Sequence, residues 1–471
     1  MDGSGSDGND AVPVLRLVGK YDDPRTPEQR DAERRMVGAQ IRSLAAPRTN
    51  NWYQRRLLAE LQSRRAPLAD RGVLQFDIVP GPRGFPVLIA AGELLIRREA
   101  LTSDKIAPGL LSRAGFTEAG DSADDCAELE AVVARFTRPG IDPEELAGVA
   151  RSLRARGIPV SANHVTPLAA IIKGEGGAEL SEGRRTFAVT EPSGERGRWR
   201  VAVIDTGIAE EERSDGWLQR LDNNRPGIDR PGDNIDETDK FPAGSPDGFL
   251  DFASGHGTFV TGVVQQVHPG ADIRVYRAVD SDGIGSEMRV GCAMIRAAEE
   301  GAKILNLSLG SQTIDDGPPV ALEAALELIG QRDPEVLVIA AAGNYGDSRP
   351  CWPAAFRRVV AVGAVRADLT PASEWSSHGV WVDISTVGEG VMSTYLPGEE
   401  SASIDPDPDV FGLDSWAVWS GTSFAAPQIA GAIARLCDSG EHTPRTALAA
   451  LLAAGRPLPN FGRVVQLLPG T

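Results

Sequence analysis

The sequence predicts an α/β protein: a mostly parallel sheet with helices on both faces, preceded by a small α+β module. Three observations predict it. From about residue 197, short runs of Val, Ile and Leu recur, as in "RVAVIDTG", "ADIRVYRAV", "AKILNLSLG", "EVLVIAAAGN" and "VVAVGAV". Each is too short for a helix, and a continuous apolar run marks a strand buried on both faces. Helical patterns such as "SEMRVGCAMIRAAEEG" and "PVALEAALELIG" lie between them, and strands alternating with helices build parallel βαβ units. Upstream, strand and helix signals follow in another order, as in a small mixed module.

The elements divide the chain into four parts. Residues 1–48 are polar and rich in Gly, Asp and Arg, and read as a flexible tail leading into a charged helix. Residues 49–172 form the module. "NNWYQRRLLAELQSRR" is capped and periodic like a helix. "GELLIRRE" reads as a strand and "SDKIAPGLLSRAG" as a helix with a Gly stop. "AELEAVVARF" fits a strand or a helix. "DPEELAGVARSLRARG" has acids at its start and Arg near its end, as the helix dipole favours. "IPVSANHV" is a strand again. Residues 173–196 open with the Gly-rich "KGEGGAELSEGRR" and read as a linker. Residues 197–471 carry the parallel sheet, where function gathers in loops past the carboxyl ends of strands.

Bulk properties exclude several classes. A chain of 471 residues suggests two or three domains. The formal net charge of -18 argues against a nucleic-acid partner, because phosphate binding needs clustered Lys and Arg. No apolar run is long enough for a bilayer, and "MDGSGSDGNDAVPVLRLVGKYDD" has no basic start before an apolar core. Cys126, Cys292, Cys351 and Cys437 lack close spacing. They are expected to be reduced thiols of a cytoplasmic protein, not a disulfide framework or a zinc site. No cofactor is expected.

Three motifs carry chemistry. "VAVIDTG" ends a strand with Asp205, "SGHGTFVTG" puts His256 at the start of a helix, and "SGTSFAAPQIAGAIARL" puts Ser423 at the start of another. Singly, each has a bland reading: a turn cap, a buried polar ring, a helix cap. Together they are an ordered Asp, His and Ser at element ends of one domain. A Ser hydroxyl needs an imidazole to take its proton and a carboxylate to fix the imidazole tautomer.

"VIDTG", "GHGTFVTG", "ILNLSLG", "AAGN" and "GTSFAAP" in this order resemble the subtilisin-like serine proteases (subtilases) from about Trp199 onward. The family's usual Met after the nucleophile is Phe424 here. The resemblance implies that Asp205 orients, His256 acts as general base and acid, and Ser423 attacks a protein or peptide substrate. It implies that Asn344 donates to the oxyanion together with the Ser423 backbone N–H. Gly283, Ile284 and Gly285, within "DGIGS", would pair with one edge of an extended substrate. Ser308, Leu309, Gly310, Ala341, Ala342 and Gly343 would wall the main specificity pocket, with Asp347 or Arg349 adding a charge preference.

The stretch between Asp205 and His256 is enlarged and acidic. It reads as a solvated loop rather than a calcium site, since it lacks an ordered Asp-x-Asp-x-Asp-Gly spacing. The path from Val267 to Asp272 is too short for the calcium loop of many subtilases, and no metal is expected. Weakly, the module resembles a subtilase propeptide. It either docks on the catalytic domain or binds a partner protein, so a dedicated processing peptidase or a binding protein without turnover stand as alternatives to a general endopeptidase.

Overall fold

In a computed structural model of the chain, the expected apolar runs become the strands Arg200–Asp205, Asp272–Arg277, Ile304–Leu307, Leu337–Ala341 and Val359–Val365. The structure describes residues 26–46, 52–82, 85–103, 106–120, 126–165, 177–181, 197–222, 227–241, 246–402, 405 and 407–470. The strands pair in parallel in the order 359–365, 337–341, 304–307, 200–205, 272–277, within a sheet of nine among the described residues. Leu337–Ala341 and Val359–Val365 are buried at every position, because helices cover both faces. Helices His256–Val267 and Ala426–Asp438 pack with Val201 and Val203 on one face. Helices Glu287–Glu299 and Val320–Arg332 pack with Ala202 and Ile204 on the other.

Upstream lies a second, antiparallel sheet of five strands, among them Phe76–Pro80, Pro86–Arg97, Val133–Thr137 and Val160–His164. Helix Pro143–Arg154 covers it. Its N-cap is Asp142, whose carboxylate accepts from the N–H groups of Glu144 and Glu145, a cap worth about 1 kcal/mol. The ambiguous "AELEAVVARF" is both things in turn: a helical turn Ala127–Glu130, then the strand Val133–Thr137.

This sheet packs on the outer helices of the parallel sheet. Leu95, Leu129 and Val133 share one apolar cluster with Met288, Ala321 and Ala325. Arg65, at the end of helix Trp52–Arg65, is fully buried; it contacts both Asp282 oxygens at 2.7–2.8 Å and reaches Asp280 at 3.0 Å. His164 meets Glu287 through its backbone N–H at 2.9 Å and its ring Nδ1 at 2.7 Å.

Three expectations need correction. The four cysteines are not all reduced: Cys126 and Cys292 form a disulfide that joins the module to helix Glu287–Glu299. They are 166 residues apart, so no spacing in the sequence announces the pair. Cys351 and Cys437 are buried and outside any disulfide. Next, residues 27–45 belong to no tail. Helix Pro27–Ala45 carries Glu33, Val37, Gln40 and Leu44 on one buried stripe. Val37 packs with Met392, Trp416 and Val418, and Gln40 donates to the Gly177 and Val418 carbonyls at 2.7 and 2.9 Å. The charged residues between stripe positions hid this amphipathic pattern. The predicted tail at 1–25 lies outside the described residues. Finally, Glu179–Leu180, within the expected linker, is a strand paired with Trp416–Trp419; the linker at 173–176 and 182–196 lies outside the described residues.

Candidate active site

Asp205 is the last residue of strand Arg200–Asp205 and His256 the first of helix His256–Val267. The helix start packs directly on the turn that follows Asp205. A Cβ on Gly257 would overlap the Gly207 carbonyl, so only glycine lets the helix start sit against the Asp205 turn. The result is a 2.7 Å contact between Asp205 Oδ1 and His256 Nδ1. The same Oδ1 accepts the Thr206 N–H at 2.8 Å. Trp419 lies edge-on to the His256 ring, with centroids 5.3 Å apart, and Phe424 is tilted against it at 5.4 Å. Phe424, the departure from the family's Met, also packs on Phe259 and Trp419. It therefore builds an aromatic wall that holds the imidazole.

Ser423 sits in the helical turn Thr422–Phe424, just before helix Ala426–Asp438. Its hydroxyl donates to the Ser308 carbonyl at 3.0 Å, and the Ser308 hydroxyl donates to the Ser423 carbonyl at 2.7 Å. Among the described residues His256 Nε2 has no hydrogen-bond partner. A rotation of the Ser423 side chain off Ser308 is the step that would bring hydroxyl and imidazole together, and such bonds are often loose before substrate binds. Asp205, Ser423 and Asn344 are each 0% exposed and His256 is 1% exposed, so the group is covered in this state.

Asn344 follows Gly343 past strand Leu337–Ala341. Its amide oxygen accepts from the N–H and hydroxyl of Thr422, both at 2.9 Å. That fixes the carboxamide, with its nitrogen 3.2 Å from where a Cβ on Gly421 would stand. The amide nitrogen thus lies against Gly421, two residues before Ser423.

The expected substrate segments are brought to the same rim. Ser308, Leu309 and Gly310 follow strand Ile304–Leu307, and Ala341, Ala342 and Gly343 end the neighbouring strand. Both glycines face the Cys351 sulfur: a Cβ would come within 3.1 Å of it from Gly310 and 2.8 Å from Gly343. Sequence reading missed Cys351. Arg349 instead holds Asp316 at 2.9 Å, Gln312 at 2.9 Å and the Pro82 carbonyl of the module at 3.1 Å. Asp347 accepts from Gln312 at 2.8 Å. On the other edge, Gly283, Ile284 and Gly285 lie between Asp282 and Ser286. Ser286 is bridged in antiparallel fashion by Val165 of the module.

The acidic stretch before His256 departs from the expected solvated loop. Asn234, Asp236 and Asp251 are buried. Burial pushes the Asp236 and Asp251 carboxyls up to about 7. Nothing in "DNIDETD" sets Asp236 apart from its acidic neighbours. Among the described residues no cluster of His, Cys, Asp or Glu is arranged to hold a metal ion, and no helix is long and apolar enough to cross a membrane.

Residues 198–455 match the model of the Subtilase family. A thermophilic serine proteinase of Bacillus sp. (strain AK1) is 34% identical over 197 residues, covering 40% of this chain and 43% of the relative. Subtilisin BL of Lederbergia lenta is 31% identical over 244 residues, covering 50% of this chain and 74% of the relative. Among solved structures, fervidolysin from Fervidobacterium pennivorans, a keratinolytic enzyme related to subtilisin, superposes with a TM-score of 0.50 at 17% identity. That match covers 80% of this chain and 60% of that one. The match to the first relative spans less than half of that relative's length.

Proposed function

We propose, from the premise that this chain belongs to the subtilase family, that it is a serine endopeptidase acting on protein or peptide substrates. Asp205 holds the His256 Nδ1 proton and stabilises the imidazolium. His256 Nε2 takes the Ser423 proton as Oγ attacks the scissile carbonyl. The Asn344 amide and the Ser423 N–H then meet the new oxyanion. His256 returns the proton to the leaving amine, and water releases the acyl group by the same route. The observation that carries this reading is the 2.7 Å Asp205–His256 contact with the second imidazole nitrogen unoccupied beside Ser423's turn. A fluorophosphonate probe tests it: wild type should be labelled and Ser423→Ala should not. Labelling of both, or of neither even when Val165→Asp has opened the edge, would reject Ser423 as nucleophile.

The module restrains access to this site. Val165 bridges Ser286, next to the Gly283–Gly285 edge assigned above to substrate, and packs with Ile284, and the residues of the dyad and Ser423 are buried. Val165→Asp, which unseats that segment, should raise the rate on a small peptide; an unchanged rate would remove the restraint. The disulfide, the buried Arg65 and helix Pro27–Ala45 favour a permanent N-terminal part over a discarded one. The cytoplasmic location expected from reduced thiols loses that support, because a structural disulfide persists in oxidising compartments.

A further inference from the structure

Asp236 belongs to the acidic stretch but is threaded beneath the catalytic turn. Ile235 bridges Ile208 in parallel, and the Asp236 N–H donates to the Ile208 carbonyl at 3.0 Å. The carboxylate Oδ2 accepts twice: from the Thr206 hydroxyl at 3.0 Å and from the Gly255 N–H at 2.9 Å. The Thr206 hydroxyl in turn accepts the Gly257 N–H at 3.1 Å. One oxygen therefore ties the residue after Asp205 to the residues on both sides of His256.

We propose that Asp236 is a positioning residue that sets the Asp205–His256 geometry through Thr206 and the start of helix His256–Val267. The proposal rests on the endopeptidase reading. A misplacement of about 1 Å in a reacting group can cost roughly 10²-fold in rate, and here two backbone segments meet at a single acceptor. Burial raises the Asp236 carboxyl most, the charges of Asp205 and Asp251 add to it, and the Gly255 and Thr206 bonds oppose it. Among the described residues Asp236 Oδ1 has no hydrogen-bond partner, so a proton on Oδ1 leaves both Oδ2 bonds in place. The clamp thus works in either protonation state, and an Asn in the same rotamer reproduces the neutral form.

The test compares Asp236→Ala, Asp236→Asn, Thr206→Val and the double Asp236→Ala/Thr206→Val in the full chain. Asp236→Ala should lower kcat by about 10–100-fold with KM within about twofold. Asp236→Asn should keep kcat within about threefold of wild type. The double variant should be no worse than the poorer single, because both singles cut the same link. Asp251→Ala is the control. Asp251 is a buried acid of the same stretch whose side chain touches the Lys240 and Phe241 N–H groups and Ser281. It should lower the melting temperature yet change kcat by less than about threefold. A second readout needs no turnover: exchange of the His256 Nδ1 proton, followed by NMR, should quicken at least tenfold in Asp236→Ala and not in Asp236→Asn. If wild type neither cleaves nor labels, the endopeptidase reading fails while the exchange readout still judges the clamp. Wild-type kcat or wild-type exchange in folded Asp236→Ala, or an Asn variant as impaired as Ala, would overturn the proposal. Should Asp236→Ala not fold, Thr206→Val and Asp236→Asn carry the same comparison.

Discussion

Cutting the chain between the module and the catalytic domain should not separate them. The perturbation is a site-specific protease sequence placed within residues 186–195, cleaved after folding. Two covalent or buried anchors lie on the N-terminal side of that cut, besides the Arg65 ion pairs. In the uncut chain the Cys126–Cys292 bond closes a loop of 166 residues; the cut lies inside that loop, so afterwards the bond is a covalent link between the two pieces. The chain-entropy relation gives about 17 cal/mol/K for a loop of that size, or about 5 kcal/mol at 25 °C. Helix Pro27–Ala45 buries Val37 and Leu44 in the catalytic domain, at roughly 1.5–3 kcal/mol for each side chain. Pulling Arg65 from Asp280 and Asp282 would leave buried charge unpaired, at about 3–5 kcal/mol. Size-exclusion chromatography of the nicked protein should show one species, with or without a dithiol reductant. A denaturing gel should show one band unreduced and two bands reduced. Cys126→Ser with Cys292→Ser should give two bands in both lanes after the cut and, in the uncut chain, lower the unfolding free energy by up to about 5 kcal/mol. An unreduced nicked chain from which the catalytic fragment elutes alone would refute the argument.

Further outcomes follow from single groups. Ser423→Ala should abolish peptide hydrolysis with an unchanged melting temperature, measured by release of a fluorogenic peptide and by calorimetry. Asn344→Ala should lower kcat by roughly 10²–10³-fold with little change in KM; a change confined to KM would deny it the oxyanion role. Asp251 has a folded value near 7, above the unfolded value of about 3.9. The folded state therefore holds more protons between these values, and the contribution of Asp251 to stability is lost as pH rises from about 4 to 7. Asp251→Asn should flatten the fall in melting temperature between pH 5 and pH 8; an equal fall in both proteins would count against it. Chelator should leave the melting temperature unchanged, since helix His256–Val267 reaches strand Asp272–Arg277 with no room for a metal loop; a drop restored by calcium would contradict this.

The catalytic sheet was legible because its signal is local. "EVLVIAAAGN" and "VVAVGAV" are apolar at nearly every position, and nothing but a strand buried on both faces satisfies that pattern. The placing of Asp205, His256, Ser423 and Asn344 at element ends was legible because a glycine lies within two positions of each. What was missed is long-range. The partner of Cys126 is Cys292, the partners of Arg65 are Asp280 and Asp282, and Gln40 reaches Ser420 at 2.8 Å across 380 residues. Each lone residue has an ordinary surface reading, and only the fold supplies the other half. Asp236 was hidden for a related reason. Five of the seven residues in "DNIDETD" are polar acids or amides, and only the parallel bridge to Ile208 decides which one turns inward.

The substrate edge itself depends on the module. Asp282 is buried directly before Gly283, and Arg65 is the cation that pairs with it. Asp280 has Lys240 and Arg289 as well; burial opposes its charge, but these cations and Arg65 together hold it well below the usual carboxylate range. At the other end of the edge, Glu287 receives the His164 N–H. Removing the module would leave Asp282 unpaired in a buried place, and the loop carrying Gly283 to Ser286 would have to rearrange to reach water. The same module sets Val165 against Ser286, at the end of that loop. A part that both braces the edge and covers it is not suited to departure. The economical way to open such a site is to unseat Val165 while Arg65 and the disulfide stay where they are.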